Sequence, residues 1–382
     1  MTDLVQAAAS LHDTLIARAP EIEQARRIPA DLSATLAGAG FYRMFVPETL
    51  GGLEASPITG VRVFEALATA EASSAWVAFI GATTGSALAW MPEDAAREIF
   101  ATPDTLVTGV FAPSGRAERT DKGFRVNGRW QWGSGSQNAR WVAGGCMLSE
   151  AGAPITNAAG APRNQMLFFR AEDVEFLDTW HVSGLRGTGS TDYQVHDLLV
   201  PETHAVGWLV EDPPPRPLYR FPFFTFLALG IAGVALGIAR AAINELVTLA
   251  ATKKRAGSAS TLASRSHTHT EVAQAEAALR SARAFLFEML DVGWEQACSG
   301  DAITIECRRD LRLATTHAVQ ASTQVVNAMY TLAGGAAVYE SSPMQRHLRD
   351  VHVATQHIMV GPGTLETVGR LLVGVDASTA ML

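Results

Sequence analysis

The hydrophobic pattern of this chain changes character twice, and that double change limits the fold to a helical block, a compact β block and a second helical block. Up to about residue 105, apolar residues recur at helical spacing, with Leu11, Leu15 and Ile22 on one stripe. Ile28-Pro29-Ala30-Asp31-Leu32 opens a further helix that should end at Gly38 to Gly40. Residues 59–91 are mostly Ala with Val, Phe and Trp, so they predict a helix pair that is apolar nearly all round and therefore internal. After Pro103 come short runs at 106–112, 123–126, 141–148, 166–170 and 193–200, separated by Gly, Asn-Gly and Asp turns. Such runs predict strands. Residues 211–217, rich in proline, read as a stiff linker. Long helices are then expected at about 223–252, 268–298, 302–333, 343–359 and 364–373, with Ala273, Ala277 and Ala284 allowing close packing in a bundle.

A chain of 382 residues can bury a core for two or three such units. A formal charge of −8 argues against a nucleic-acid partner, which needs a basic face. Cys146, Cys298 and Cys307 are widely spaced with no CxxC, and the first residues show no signal-peptide order. Both features suit a reducing cytoplasm. The weakly polar run 221–239 nearly fits a membrane span, but its Gly and Ala content and Pro222 favour a buried core helix.

Within the β block, residues 125–141 hold three tryptophans in twelve positions, Trp130, Trp132 and Trp141, around the turn Gly133-Ser134-Gly135. On an extended strand Trp130 and Trp132 share a side, so the group suggests a platform for a flat ring, with Ser134 offering a hydroxyl. The alternative is a strand whose tryptophans fill a core. A second signal is Gly184-Leu185-Arg186-Gly187-Thr188-Gly189-Ser190, which no helix follows, so it is not a dinucleotide fingerprint. A third is Gly334-Gly335 followed by Pro343 and Arg349-Asp350.

These three segments resemble the acyl-CoA dehydrogenase superfamily, and most closely its branch of two-component flavin monooxygenases. Trp132 and Ser134 match the family's Trp-x-Thr/Ser element, 184–190 its turn before a late β strand, and 334–350 its Gly-Gly, Pro, Arg-Asp order. The resemblance covers the whole chain. It implies a mainly α protein with a central β domain: an N-terminal helical domain at 1–105, a β-barrel-like middle domain at 106–210 and a C-terminal four-helix bundle at 211–382. It implies reduced FMN or FAD as cofactor, FMN placed first, supplied by a separate NAD(P)H-dependent reductase and reacting with O2 to a C4a-hydroperoxide. It also implies a homotetramer whose neighbouring subunits complete the flavin site. Trp132 would border the flavin ring and the Ser134 hydroxyl would bond near its N5. Gly334 and Gly335 would let a neighbour's cofactor approach, Arg255 would meet flavin phosphate, and Arg349 with Asp350 would form a helix-positioning ion pair. For Arg255 the plain alternative is a solvated basic run at a helix end.

Dehydrogenases of this family take an α-proton with a glutamate from one of two places. Here the first reads Pro362 and the second, 226–229, is apolar; no acid occurs from 218 to 244, and Glu366 is the nearest substitute. Without a carboxylate the proton has no base. The alternatives are therefore a dehydrogenase acting through Glu366, an idle flavin-binding homologue, and the oxygenase. His357 matches the oxygenase branch's Arg-Asp-x(6)-His spacing and so would act as general base; His347 and His352 are not clustered with it, so no metal site is expected. The branch's phenol hydroxylases use a further histidine from the N-terminal domain. Here His12 is the sole histidine before 181, and the corresponding helix carries Thr83 and Thr84. A small aromatic or heteroaromatic substrate is expected, with Trp76 and Trp90 available to line its pocket.

Overall fold

In the computed structural model, residues 3–157, 160–207, 214–254 and 260–382 are described. Six helices come first: α1 (Leu4–Ser10), α2 (His12–Ala25), α3 (Ala30–Gly38), α4 (Pro57–Ala70), α5 (Ala72–Ser86) and α6 (Glu93–Ile99). Side chains cap three of them, Asp3 for α1, Ser56 for α4 and Glu71 for α5, each accepting first-turn N–H groups that have no helical partner. Every residue of α5 except Ile80 is buried, as its all-round apolar sequence requires.

Eight strands follow: β1 (Val107–Thr120), β2 (Gly123–Gly133), β3 (Trp141–Glu150), β4 (Ala153–Pro154), β5 (Asn164–Arg170), β6 (Glu175–Leu177), β7 (Thr191–Val200) and β8 (Ala205–Val206). They form one sheet in the order β6-β7-β2-β1-β3-β5-β8, with β4 beside β3 and the β1–β3 pair parallel. Strand alternation divides the sheet between two cores. Val142, Leu167 and Phe169 join Trp130 and Tyr193 in the sheet's own core, while Trp141, Ala143, Met166 and Phe168 face the helices.

The chain ends in α7 (Pro217–Arg220), α8 (Phe223–Thr252), α9 (Ser266–Ser299), α10 (Ile305–Ala333), α11 (Pro343–Ala354) and α12 (Pro362–Leu372). The mainly α fold with a central sheet therefore appears as expected. α8 is the central helix, packed on by α4, α5, α10 and α11, and its apolar first half is buried by protein, as read from the 221–239 run. A Cβ on Gly237 would stand 2.4 Å from Glu65 O, so glycine is required for α8 to approach α4 this closely. Arg240 with Glu276 and Arg283 with Glu65 tie α9 to α8 and α4. α8 and α10 run parallel: Arg312 Nη1, two turns into α10, donates to Phe224 O in the first turn of α8, and Lys253 Nζ, just past the end of α8, donates to Ala333 O at the end of α10. At 1.5 Å per residue, those two ends lie about 43 Å apart.

The one helix that departs clearly from expectation is that at 343–359. α11 stops at Ala354, His357 is extended (φ −73°, ψ 131°), and a single 3-10 turn, Ile358–Val360, follows.

Candidate active site

The turn that ends β2 carries the first functional group. The ladder to β7 shifts register between Trp130 and Gly133, and Trp132 takes a left-handed backbone, φ 64°. This break overturns the expectation that Trp130 and Trp132 share a side. Trp130 is buried in the sheet's own core, stacked on Tyr193, with Nε1 donating to Gly145 O at 2.8 Å. Trp141 faces the helices, stacked on His204. Trp132 alone of the three is turned out, 69% exposed. A bulky residue held at positive φ costs about 1–2 kcal/mol, so the surrounding turn imposes this exposure.

Ser134, two residues on, is only 7% exposed. Trp76 Nε1 of α5 donates to its Oγ at 3.1 Å, and the same Oγ lies 2.6 Å from Ser190 Oγ. Ser190 Oγ lies 2.7 Å from Thr188 Oγ1, which donates to Leu185 O at 2.8 Å. Each hydroxyl owns one proton, and a carbonyl can only accept. The Thr188 proton therefore goes to Leu185, the Ser190 proton to Thr188 and the Ser134 proton to Ser190. Ser134 is left with a lone pair, and no proton, for anything that binds beside it. Gly135 N donates to Thr188 O at 2.8 Å, tying the two turns together.

His357 also lies against Trp76, with ring centroids 6.1 Å apart. Its Nδ1 accepts the Met359 backbone N–H at 3.2 Å. Burial, aided by the Arg312 charge, lowers its pKa from 6.5 to about 4, so the ring is neutral at pH 7. With Nδ1 accepting, the remaining proton sits on Nε2. His357 thus presents a donor, whereas the sequence led us to expect a base.

The Arg349–Asp350 ion pair read from the sequence does not form. Adjacent helical side chains point about 100° apart, so the two grip different partners. Arg349 pairs with Glu23 at 2.5 Å and donates to Ser183 O, and Asp350 Oδ1 accepts Leu185 N at 2.6 Å. A Cβ on Gly184 would meet Arg349 O at 2.3 Å. The Gly184–Ser190 turn is therefore seated on α11, which fixes the hydroxyl chain behind Ser134. Burial, with the Glu71 charge adding to it, pushes the Asp350 pKa up to about 7.

Residues 2–100 match the acyl-CoA dehydrogenase N-terminal domain and residues 229–362 its C-terminal domain. An indole-3-acetate monooxygenase from Pseudomonas putida is 34% identical over 94% of this chain and 90% of its own length. The chain belongs to the acyl-CoA dehydrogenase family. An FADH2-dependent resorcinol hydroxylase, oxygenase component, from a Rhizobium is 28% identical over 98% of this chain and 94% of its own. The crystal structure of 3-HSA hydroxylase from a Rhodococcus superposes with a TM-score of 0.91 at 25% identity, covering 100% of this chain and 99% of that one. Within the acyl-CoA dehydrogenase family, then, this chain is a flavin-dependent monooxygenase.

The positions of the family's dehydrogenase glutamates agree. Pro362 opens α12, residues 226–229 are buried apolar positions of α8, and Glu366 is exposed, two residues beyond the inward-facing Thr364. Gly334 and Gly335 are exposed after the last turn of α10, beside Lys253. Arg255, two residues after Lys253, lies outside the described residues, as does part of the proline linker. His352 bonds Asn327 Oδ1 at 3.0 Å and His347 is buried apart from it. On α5, Thr83 Oγ1 donates to Phe79 O, whereas the buried Thr84 Oγ1 has no partner. Sequence reasoning missed Thr188 and Ser190 as individual functional groups and did not consider Arg312 at all. For Arg312 a signal existed: it occupies a buried position on α10 in step with Thr315 and Val319, where an unmatched charge is unexpected.

Proposed function

We propose that the chain is the oxygenase component of a two-component system and inserts one oxygen atom of O2 into a small aromatic or heteroaromatic substrate. In balance, substrate, O2 and reduced flavin give hydroxylated substrate, water and oxidised flavin. The observation that carries this reading is the spent proton of Ser134. A buried hydroxyl that can only accept fits the N5–H that a flavin carries only when reduced, and it would meet the N5 lone pair of the oxidised ring unfavourably. The exposed Trp132 beside it offers a ring-sized apolar face. These residues fit a flavin, which when bound supplies the electrons that activate O2. A protein that favours the reduced cofactor, and has no nicotinamide-binding unit legible in its sequence, calls for a separate reductase.

The chain's own residues then have defined tasks. Ser134 and Trp132 hold and orient the ring. Trp76, buried with Phe79, forms an apolar wall that excludes water and packs a flat substrate. His357 Nε2–H donates to an oxygen at the reacting centre, orienting it and stabilising negative charge that develops there. The relatives that act on indole-3-acetate and resorcinol support an aromatic substrate. Reduced FMN and reduced FAD share the ring that Ser134 would meet, so either fits the site; the resemblance places FMN first, and the resorcinol hydroxylase that depends on FADH2 supports FAD as its rival. Gly334 and Gly335 sit at the far end of α8 from this site, so they serve a neighbouring subunit's cofactor in a homotetramer, together with Arg255.

The test is direct. The protein, mixed anaerobically with reduced FMN or FAD and an aromatic panel that includes indole-3-acetate and resorcinol, is exposed to 18O2 and the products are weighed by mass spectrometry. One 18O in an aromatic product is expected, and His357→Ala should lose it while still binding reduced flavin. Failure of every substrate to gain label, together with bleaching of bound oxidised flavin by an acyl-CoA, would overturn the proposal.

A further inference from the structure

Arg312 is 3% exposed, yet every partner it has among the described residues is neutral. Its guanidinium donates to Phe224 O at 3.3 Å and to Thr364 Oγ1 at 3.1 Å, and it approaches Met359 Sδ at 3.7 Å, while Nε has no partner. Three other arginines of the helical domains are matched by acids, Arg240 by Glu276, Arg283 by Glu65 and Arg349 by Glu23, and Arg308, which donates only to backbone carbonyls of the chain's last residues, is far less buried than Arg312. For Arg312, burial alone pulls the pKa down to about 10, and no acid pulls it back. A buried cation without a counter-charge is costly, several kcal/mol by general experience, and it is retained where something else gains from it. The planar fork of five N–H groups matches a carboxylate in bidentate fashion, and a thioether and a hydroxyl are weak occupants of that fork.

The place of this cation is as telling as its lack of a partner. Met359 touches Arg312 through its sulfur and His357 through its backbone N–H, so the cation and the candidate reacting position are joined by one residue. Methionine is unbranched and flexible, so its side chain can yield the fork to a ligand. The anion could belong to the substrate or to a flavin phosphate. The basic segment at Lys253 and Lys254 lies about 43 Å away along α8, at the opposite end from Arg312, so phosphate is provided for elsewhere.

We propose that Arg312 is the binding group for a carboxylate of the substrate, which is then an aromatic ring carrying its acid on a short tether. This rests on the reading of the chain as an aromatic oxygenase. The tether is short because His357 must reach the ring while Arg312 holds the acid.

Equilibrium binding tests this without any turnover. The wild-type protein, alone and with reduced flavin under anaerobic conditions, is titrated with indole-3-acetate and phenylacetate and with the corresponding neutral amides. The acids should bind about 100-fold more tightly than the amides, a typical value for a buried charge pair. In Arg312→Met that preference should vanish, and Arg312→Lys, which keeps the charge but not the fork, should recover part of it. Acids and amides that bind alike, or not at all, to the wild type overturn the proposal even if no variant folds. So does an Arg312→Met protein that keeps the acid preference and loses reduced-flavin affinity instead, because the anion is then the flavin's phosphate. Failure of the oxygenase reading looks different: Arg312-dependent binding of acids would persist with no 18O incorporated.

Discussion

Replacing Ser190 with alanine tests the proton accounting at the core of this site. In the native turn the Ser134 proton is held by Ser190 at 2.6 Å, and Ser190 is itself committed to Thr188 at 2.7 Å. N5 of an oxidised flavin has no proton to give, so to bond it Ser134 must turn its own proton outward and forfeit the bond to Ser190. A buried neutral hydrogen bond contributes about 1 kcal/mol net, and leaving a buried group unmatched costs about 1–3 kcal/mol. A loss of about 1.4 kcal/mol is one factor of ten. Ser190→Ala removes the competing acceptor, so Ser134 can donate or accept at will. The ratio of oxidised to reduced flavin dissociation constants should therefore fall about tenfold, mostly because oxidised flavin binds better. Fluorescence titration under air and anaerobic absorbance titration give the two constants. Thr188→Val should act in the same direction, because Ser190 would lose the acceptor for its own proton. A ratio unchanged in both variants would refute the chain of donors.

Three further outcomes follow from the same geometry. Trp132→Gly should stabilise the fold by about 1 kcal/mol, because it relieves a left-handed tryptophan, yet weaken reduced-flavin binding; thermal melts and titration with the same protein read both effects. Asp350 has its pKa raised from 3.8 to about 7, so between those values the native state holds a proton that the unfolded chain does not. Stability should accordingly fall as pH rises from about 4 to about 7 and level off above that, and Asp350→Asn should remove that slope from melts recorded between about pH 4 and 8. His357, lowered to about 4, should contribute no inflection near pH 6.5 to kcat; an inflection there that disappears in His357→Gln would show that it titrates in the working range.

Most of the architecture was legible because long periodic segments announce themselves. α8 spans Phe223–Thr252, as its uninterrupted apolar pattern predicts, and α9 and α10 depart from expectation by only one to three residues at their ends. The site was legible only where a motif carried it, at Ser134 and His357. What failed did so for local reasons. Alternation placed Trp130 and Trp132 together, but a register shift and one positive φ reversed Trp132. Helical periodicity was carried past Ala354 to 359, although His357 is extended and uses its ring to cap the next turn. Neighbouring opposite charges suggested an Arg349–Asp350 pair, although adjacent positions on a helix do not face each other. Arg312 and the Thr188–Ser190 relay depend on contacts across 47 to 88 residues of sequence separation or on which way a proton points, and neither has a periodic signature.

The length of α8 has a consequence for inheritance of defects. Its first turn meets Arg312 beside the candidate site, and its far end leads into the basic segment at Lys253, next to Gly334 of α10, about 43 Å away. On the assembly proposed above, one polypeptide gives its two ends to two different reaction centres. A cell that makes a mixture of sound and damaged chains would then lose more centres than it has damaged chains, since each faulty copy spoils the centre it houses and the one it lends to. Selection on either end of this helix acts through molecules other than the one that carries the change.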